Sequence, residues 1–171
     1  DVLQDNQVER YFELVEKRAS RIPLQHIVGT QEFMGLTFKV SENVLIPRLD
    51  TETVVEEALN YLEKGDEVLD LCSGSGAIGI SIAKLKGCKV TCSDISDDAM
   101  KLGEENAHLN KVKVKFVKSD LFKEFGTGFG RKKYEMIISN PPYIPTDVLP
   151  TLSLEVQQEP LLALDGGKEG L

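Results

Sequence analysis

Apolar side chains at Val8, Tyr11, Phe12, Val15 and Ala19 recur at the spacing of one helix face, so an amphipathic helix is expected from Asp1 to about Ser20. Pro23 is expected to end it. A lone helix of this length cannot bury its own stripe, so it needs a partner. Between residues 30 and 40 the period drops to two. Glu32-Phe33, the pair Met34-Gly35, and alternating Leu36, Phe38 and Val40 read as a β-hairpin. The apolar run Val44-Leu45-Ile46 is broken by Pro47-Arg48. A second helix follows, capped by Asp50 or Thr51, with Val54, Val55, Ala58, Leu59 and Leu62 on one face and Gly65 at its end.

From residue 67 the pattern alternates regularly. Strands are expected over 67–71, 88–93, 112–117 and 134–139, and helices over 76–85 and 96–108. Short strands alternating with longer helices predict an α/β fold, a parallel doubly wound sheet with its ligand at the strands' carboxyl ends. Gly126, Gly128 and Gly130 mark a flexible loop before the fourth strand, and 154–171 supplies no fifth. Four strands make a thin sheet, so the chain reads as a piece of a longer one.

Composition narrows the class. With 171 residues, 41% hydrophobic and 28% charged, the chain fits one ordinary globular domain. No run approaches the ~18 apolar residues of a membrane span and no signal-peptide pattern opens the chain, so a cytoplasmic protein is expected. A net charge of −8 disfavours binding to naked nucleic acid, which depends on Lys and Arg at phosphates. Lys111, Lys113, Lys115 and Lys118 read instead as one solvated strand face. Cys72, Cys88 and Cys92 form no CxxC pair and only His26 and His108 could assist them, so no metal is expected.

The chemistry concentrates at strand ends. Gly74-x-Gly76-x-x-Gly79 lies at a strand-to-helix turn, and Asp94 falls twenty residues beyond Gly74, placed to accept ribose hydroxyls. Asp70 opens that turn. A carboxylate there would repel the pyrophosphate of NAD but suits the ammonium and sulfonium of S-adenosylmethionine (SAM). Ser119-Asp120-Leu121 could accept from an adenine amine and pack on its ring, or form an ordinary strand-end turn. After the fourth strand comes Asn140-Pro141-Pro142-Tyr143. Its prolines fix φ and remove donors, leaving the Asn140 side-chain carbonyl and the Pro141 carbonyl as two acceptors for the N–H bonds of an –NH2 group. Tyr143 could stack on that group's plane, and Phe33 could wall the methyl channel or simply pack in the hairpin. Arg48 is expected to pair with Asp50 or Glu52.

Together these motifs resemble the class I SAM-dependent methyltransferases that act on nitrogen. More narrowly, Arg21-Ile22-Pro23-Leu24-Gln25-His26-Ile27-x-Gly29, Phe33-x-Gly35-x-x-Phe38-x-Val40 and Val44-Leu45-Ile46-Pro47-Arg48-x-Asp50-Thr51-Glu52 resemble the release-factor glutamine N5-methyltransferases, the HemK/PrmC family. Glu155-Val156-Gln157-Gln158-Glu159-Pro160, Ala163-Leu164, Gly166-Gly167 and Gly170-Leu171 resemble that family's segment after NPPY. Position 72 is usually Gly in that family and is Cys here. The resemblance implies a Rossmann-like SAM domain behind a helical domain, with 1–22 the remnant of that helical domain, 23–47 a hairpin linker, and 48–171 a SAM-binding core lacking its last strands. It implies that Cys72, Ser73, Gly74, Ser75 and Gly76 hold the methionine part of SAM, Asp94 the ribose, and Asp120 with Leu121 the adenine. Asn140, Pro141, Pro142 and Tyr143 would take a glutamine of a release factor's GGQ loop, with Asn140 also against SAM. A monomer is expected. A ribosomal-protein glutamine methyltransferase, an adenine-N6 methyltransferase and an inactive SAM-binding fragment remain alternatives.

Overall fold

A computed structural model describes residues 4–126 and 132–170. Helix α1 (Asp5–Ala19) buries none of its residues, and Tyr11 and Phe12 stay about 60% exposed. The core therefore does not supply the partner its stripe calls for. The helix stops before Pro23: Arg21 takes the left-handed φ of 68° and turns the chain. Pro23 instead precedes a five-residue helix, α2 (Leu24–Val28), closed by left-handed Gly29. No hydrophobic period announces α2, because one turn and a half is too short to show one.

The hairpin is β1 (Thr30–Phe33) and β2 (Leu36–Lys39), in the register Phe33↔Leu36. Met34 and Gly35 both have positive φ, as a two-residue turn of the primed type requires. A methionine tolerates this because its N–H donates to Glu52 Oε1 at 2.6 Å. Phe33 and Phe38 meet edge to face in the core. Neither Asp50 nor Thr51 caps the next helix through its side chain; a 3-10 turn (Leu49–Thr51) leads into α3 (Glu52–Tyr61). Val55, Ala58 and Leu62 are buried as expected, while Val54 faces outward.

Four strands form one parallel sheet: β3 (Glu67–Leu71), β4 (Lys89–Asp94), β5 (Val114–Lys118) and β6 (Met136–Ser139), in the order β5-β4-β3-β6. Helices α4 (Ala77–Lys86) and α5 (Asp97–Leu109) connect the first three. The chain runs outward from β3 through β4 to β5, then returns to the opposite side of β3. That reversal is a topological switch point, where doubly wound sheets open a crevice. The register decides what lines it. Leu71 pairs with Ser139 and with Ser93, so Cys72, Asp94 and Asn140 emerge level with one another. Beyond β6 the described chain forms only short 3-10 turns and one bridge, Ile144 to Asp165. Gly128 and Gly130 lie outside the described residues.

Candidate active site

A cavity of about 310 Å³ occupies the switch point, within the size range of small-molecule sites. Its floor is the turn after β3, where Gly76 N–H donates to Ser73 O at 2.8 Å and Gly74 and Gly76 both take left-handed φ. Cys72 does so too, at φ 55°. This explains why glycine suits the position, and a cysteine there carries roughly 1–2 kcal/mol of backbone strain. Gly79 serves packing instead: a Cβ there would lie 2.5 Å from Cys92 Sγ and 2.9 Å from Val90. The third glycine thus lets α4 lie flat on the sheet.

Asp94 holds this floor in place. Its Oδ2 accepts from Gly74 N–H at 2.8 Å and its Oδ1 from Ser96 N–H at 3.0 Å. Asn106, fully buried on α5, ties the same turn to the hairpin: Oδ1 accepts from Lys39 N–H, and Nδ2 donates to Lys39 O and Ser75 O. Cys72, Ser73, Gly74 and Ser75 line the cavity, with Asp94 at the end of β4, Ile95 just past it, and Asp120 and Leu121 after β5. Gly76 lies behind, as the N-cap of α4.

Asp70 does not reach the cavity. It is fully buried beneath the turn, with Oδ2 accepting from Gly79 N–H at 2.9 Å and Cys92 Sγ at 3.7 Å. Burial pushes its carboxyl up to about 7, helped by the nearby charge of Asp94 and opposed by the Gly79 and Cys92 hydrogen bonds. The acids that line the cavity are Asp94, Asp120, whose carboxylate pairs with Lys123, and Asp165. The raised carboxyl also sets a stability profile. From pH ~4 to ~7 the unfolded chain releases this proton while the folded chain keeps it, so stability falls as pH rises, by about 4 kcal/mol in total. Asp70→Asn should flatten that slope in denaturation measured across the pH range. Equal slopes in the two proteins would contradict it.

The wall opposite comes from β6 and from elements far away in sequence. Ser139 Oγ donates to Leu71 O at 2.9 Å, pinning the NPPY turn to the glycine turn. Asn140 and Pro142 line the cavity, whereas Pro141 and the 59% exposed Tyr143 lie outside its lining. Asn140 Nδ2 donates to Thr51 Oγ1 at 3.4 Å, which directs the carbonyl end of that amide away from Thr51. Phe33 packs in the core at 1% exposed, as the hairpin reading expects, and also lines the cavity. Arg48 pairs with neither Asp50 nor Glu52 but with Glu159. The Glu159 side chain is 1% exposed and also accepts from Ile46 N–H at 3.0 Å. That bond closes the wall, because Ile46, Pro47 and Arg48 line one side of it and Pro160, Leu162 and Ala163 the other. Among the described residues no cluster of His, Cys, Asp and Glu could hold a metal, and no helix is long and apolar enough to cross a membrane.

A parallel sheet with a glycine turn, an acid after its second strand and a cavity at the switch point defines a Rossmann-like α/β domain built for a nucleoside-type ligand. Residues 43–151 match the Methyltransferase small domain, and residues 1–29 match the PrmC N-terminal domain. The chain belongs to the methyltransferase small domain family. Among curated relatives, the release factor glutamine methyltransferase of Clostridium acetobutylicum is 43% identical over 176 residues, covering 99% of this chain and 61% of that protein. The protein of the same name from Fusobacterium nucleatum is 47% identical over 163 residues, covering 92% and 45%. The chain thus spans roughly half of these relatives' length. Among solved structures, wild-type Trm5b from Pyrococcus abyssi superposes with a TM-score of 0.56 at 27% identity, over 66% of this chain and 32% of that one. A methyltransferase from Pyrococcus furiosus superposes with a TM-score of 0.54 at 20% identity, over 82% and 64%, and shares the fold.

Proposed function

We propose that the cavity binds SAM and that the NPPY turn presents to it the side-chain amide of a glutamine in a peptide chain release factor. One observation carries the reading: the Ser139–Leu71 hydrogen bond holds Asn140 beside the glycine turn, over a single cavity. The donor set fits SAM. Asp94 offers acceptors to ribose hydroxyls, the acids Asp94, Asp120 and Asp165 give the lining a negative character that suits a cationic ligand, and Ile95 and Leu121 offer apolar surface to its base. The relatives' name, and their 37–47% identity with this chain, support the acceptor. When bound, SAM supplies an electrophilic methyl group, whose bond to sulfur breaks as the new C–N bond forms, leaving S-adenosylhomocysteine.

The chain's own contribution is geometry. Asn140 Oδ1 and the Pro141 carbonyl accept the two N–H bonds of the acceptor amide, which turns its lone pair toward the cavity. Alignment of this kind is worth roughly 7–11 kcal/mol in well-oriented systems. The nitrogen's extra proton leaves to water, since the NPPY turn carries no base. The net charge of −8 favours a protein acceptor over nucleic acid. A monomer working in the cytoplasm completes the reading. Calorimetric titration tests the ligand: SAM should release heat of binding and NAD none, and binding of NAD but not SAM would overturn the assignment.

A further inference from the structure

Resting on that reading, we propose that Gly166 and Gly170 are positioning residues of the acceptor site: their bare backbones brace the NPPY turn from behind. The turn is anchored upstream by Ser139, as described. Downstream it runs into a short parallel bridge between 144–146 and 164–167. Ile144 N–H donates to Leu164 O at 3.1 Å, Gly166 N–H to Ile144 O at 2.9 Å, and Thr146 N–H to Gly167 O at 3.0 Å. Asp165 Oδ1 secures it, accepting from Thr146 Oγ1 at 2.7 Å and Gly167 N–H at 2.9 Å.

The bridge brings the two backbones closer than side chains allow. A Cβ on Gly166 would sit 2.8 Å from Tyr143 Cα and 2.9 Å from Pro142 O and from Gly170 O. A Cβ on Gly170 would sit 2.7 Å from Tyr143 O. All four are backbone atoms, so no flexible side chain can yield. Gly166 does not have a left-handed φ, so its requirement is contact, not conformation. Gly65, between α3 and β3 and outside the bridge, is the reverse case, with φ 96° and nothing within 4 Å of its would-be Cβ. The pair separates steric bracing from backbone strain.

A methyl group at 166 must push Pro142 and Tyr143 away, and with them the Pro141 carbonyl that receives the acceptor amide. The cofactor side of the cavity, built by β3, β4 and β5, makes none of these contacts. Displacements near 1 Å at a reacting centre cost about 10²-fold. In the full chain, Gly166→Ala should therefore lower kcat/KM for a release-factor acceptor by about 10²-fold, with KM raised and the Kd for SAM unchanged. Gly65→Ala, remote from the bridge, should lose stability yet keep wild-type kcat/KM. Equal losses in the two variants, or wild-type kinetics in Gly166→Ala, would overturn the bracing role. If Gly166→Ala loses SAM binding through misfolding, Thr146→Val decides: it removes the Oγ1–Asp165 hydrogen bond that secures the bridge, without a clash. A raised acceptor KM at constant SAM Kd then supports bracing, and an unchanged KM rejects it. Failure of the wild-type protein to methylate any glutamine counts against the proposed function instead.

Discussion

Asn140→Ala is expected to abolish methyl transfer, lowering kcat by about 10²–10³-fold while leaving SAM affinity intact. The separation follows from position. Asn140 enters the cavity from β6, across the switch point from Asp94 and the glycine turn. Its amide nitrogen is engaged by Thr51, so its carbonyl is the end available to an acceptor. Alanine removes that acceptor and leaves one N–H of the incoming amide without a partner in the closed site, where unpaired polar groups are costly. The glycine turn would still be pinned by Ser139 and Asp94. A parallel loss of SAM binding would show that Asn140 belongs to the cofactor site and that the division of labour is mistaken.

Asp94→Ala should do the opposite and weaken SAM binding by at least about 10²-fold. The carboxylate has two tasks. It holds the turn by accepting from Gly74 and Ser96 N–H, and its remaining lone pairs face the cavity, where the ribose hydroxyls of SAM would donate. Hydrogen bonds to a charged group contribute about 1.5–3 kcal/mol each, so losing two accounts for the expected change. Asp94→Asn, which keeps one oxygen for Gly74, should fall between alanine and wild type in the same titration. Wild-type affinity in Asp94→Ala would remove the acid from the ligand site.

The parts of this molecule that are local in sequence were legible in it. Four strands and the helices between them fall within a few residues of their expected places, since each carries its own hydrophobic period and glycine punctuation. The site could be read to the level of its turns: Cys72, Asp94, Asp120 and Asn140 all come to one cavity. What could not be read depends on contacts made only after folding. Arg48 finds Glu159 rather than its sequence neighbours, because β6 and the following turns carry that carboxylate to the cavity wall. Asp70 looks like a ligand contact in the motif, but a strand's alternation sends its side chain beneath the turn and into the core. The bracing glycines belong to a segment without periodicity, and their role appears only when two backbones are seen less than 3 Å from where a Cβ would stand. Thr51 carried a signal without a reason: it sits in a segment singled out by resemblance, and the fold supplies its partner, Asn140.

In the proposed reaction a methyl group moves from SAM to a glutamine amide at this cavity. Incubation of the protein with methyl-labelled SAM and a bacterial release factor, with adenine-containing DNA in a parallel reaction, tests it most directly. Mass spectrometry of the digested products should locate one added methyl on a glutamine side-chain nitrogen of the release factor, absent with Asn140→Ala. Label on adenine, or on the release factor at any residue other than glutamine, would contradict it.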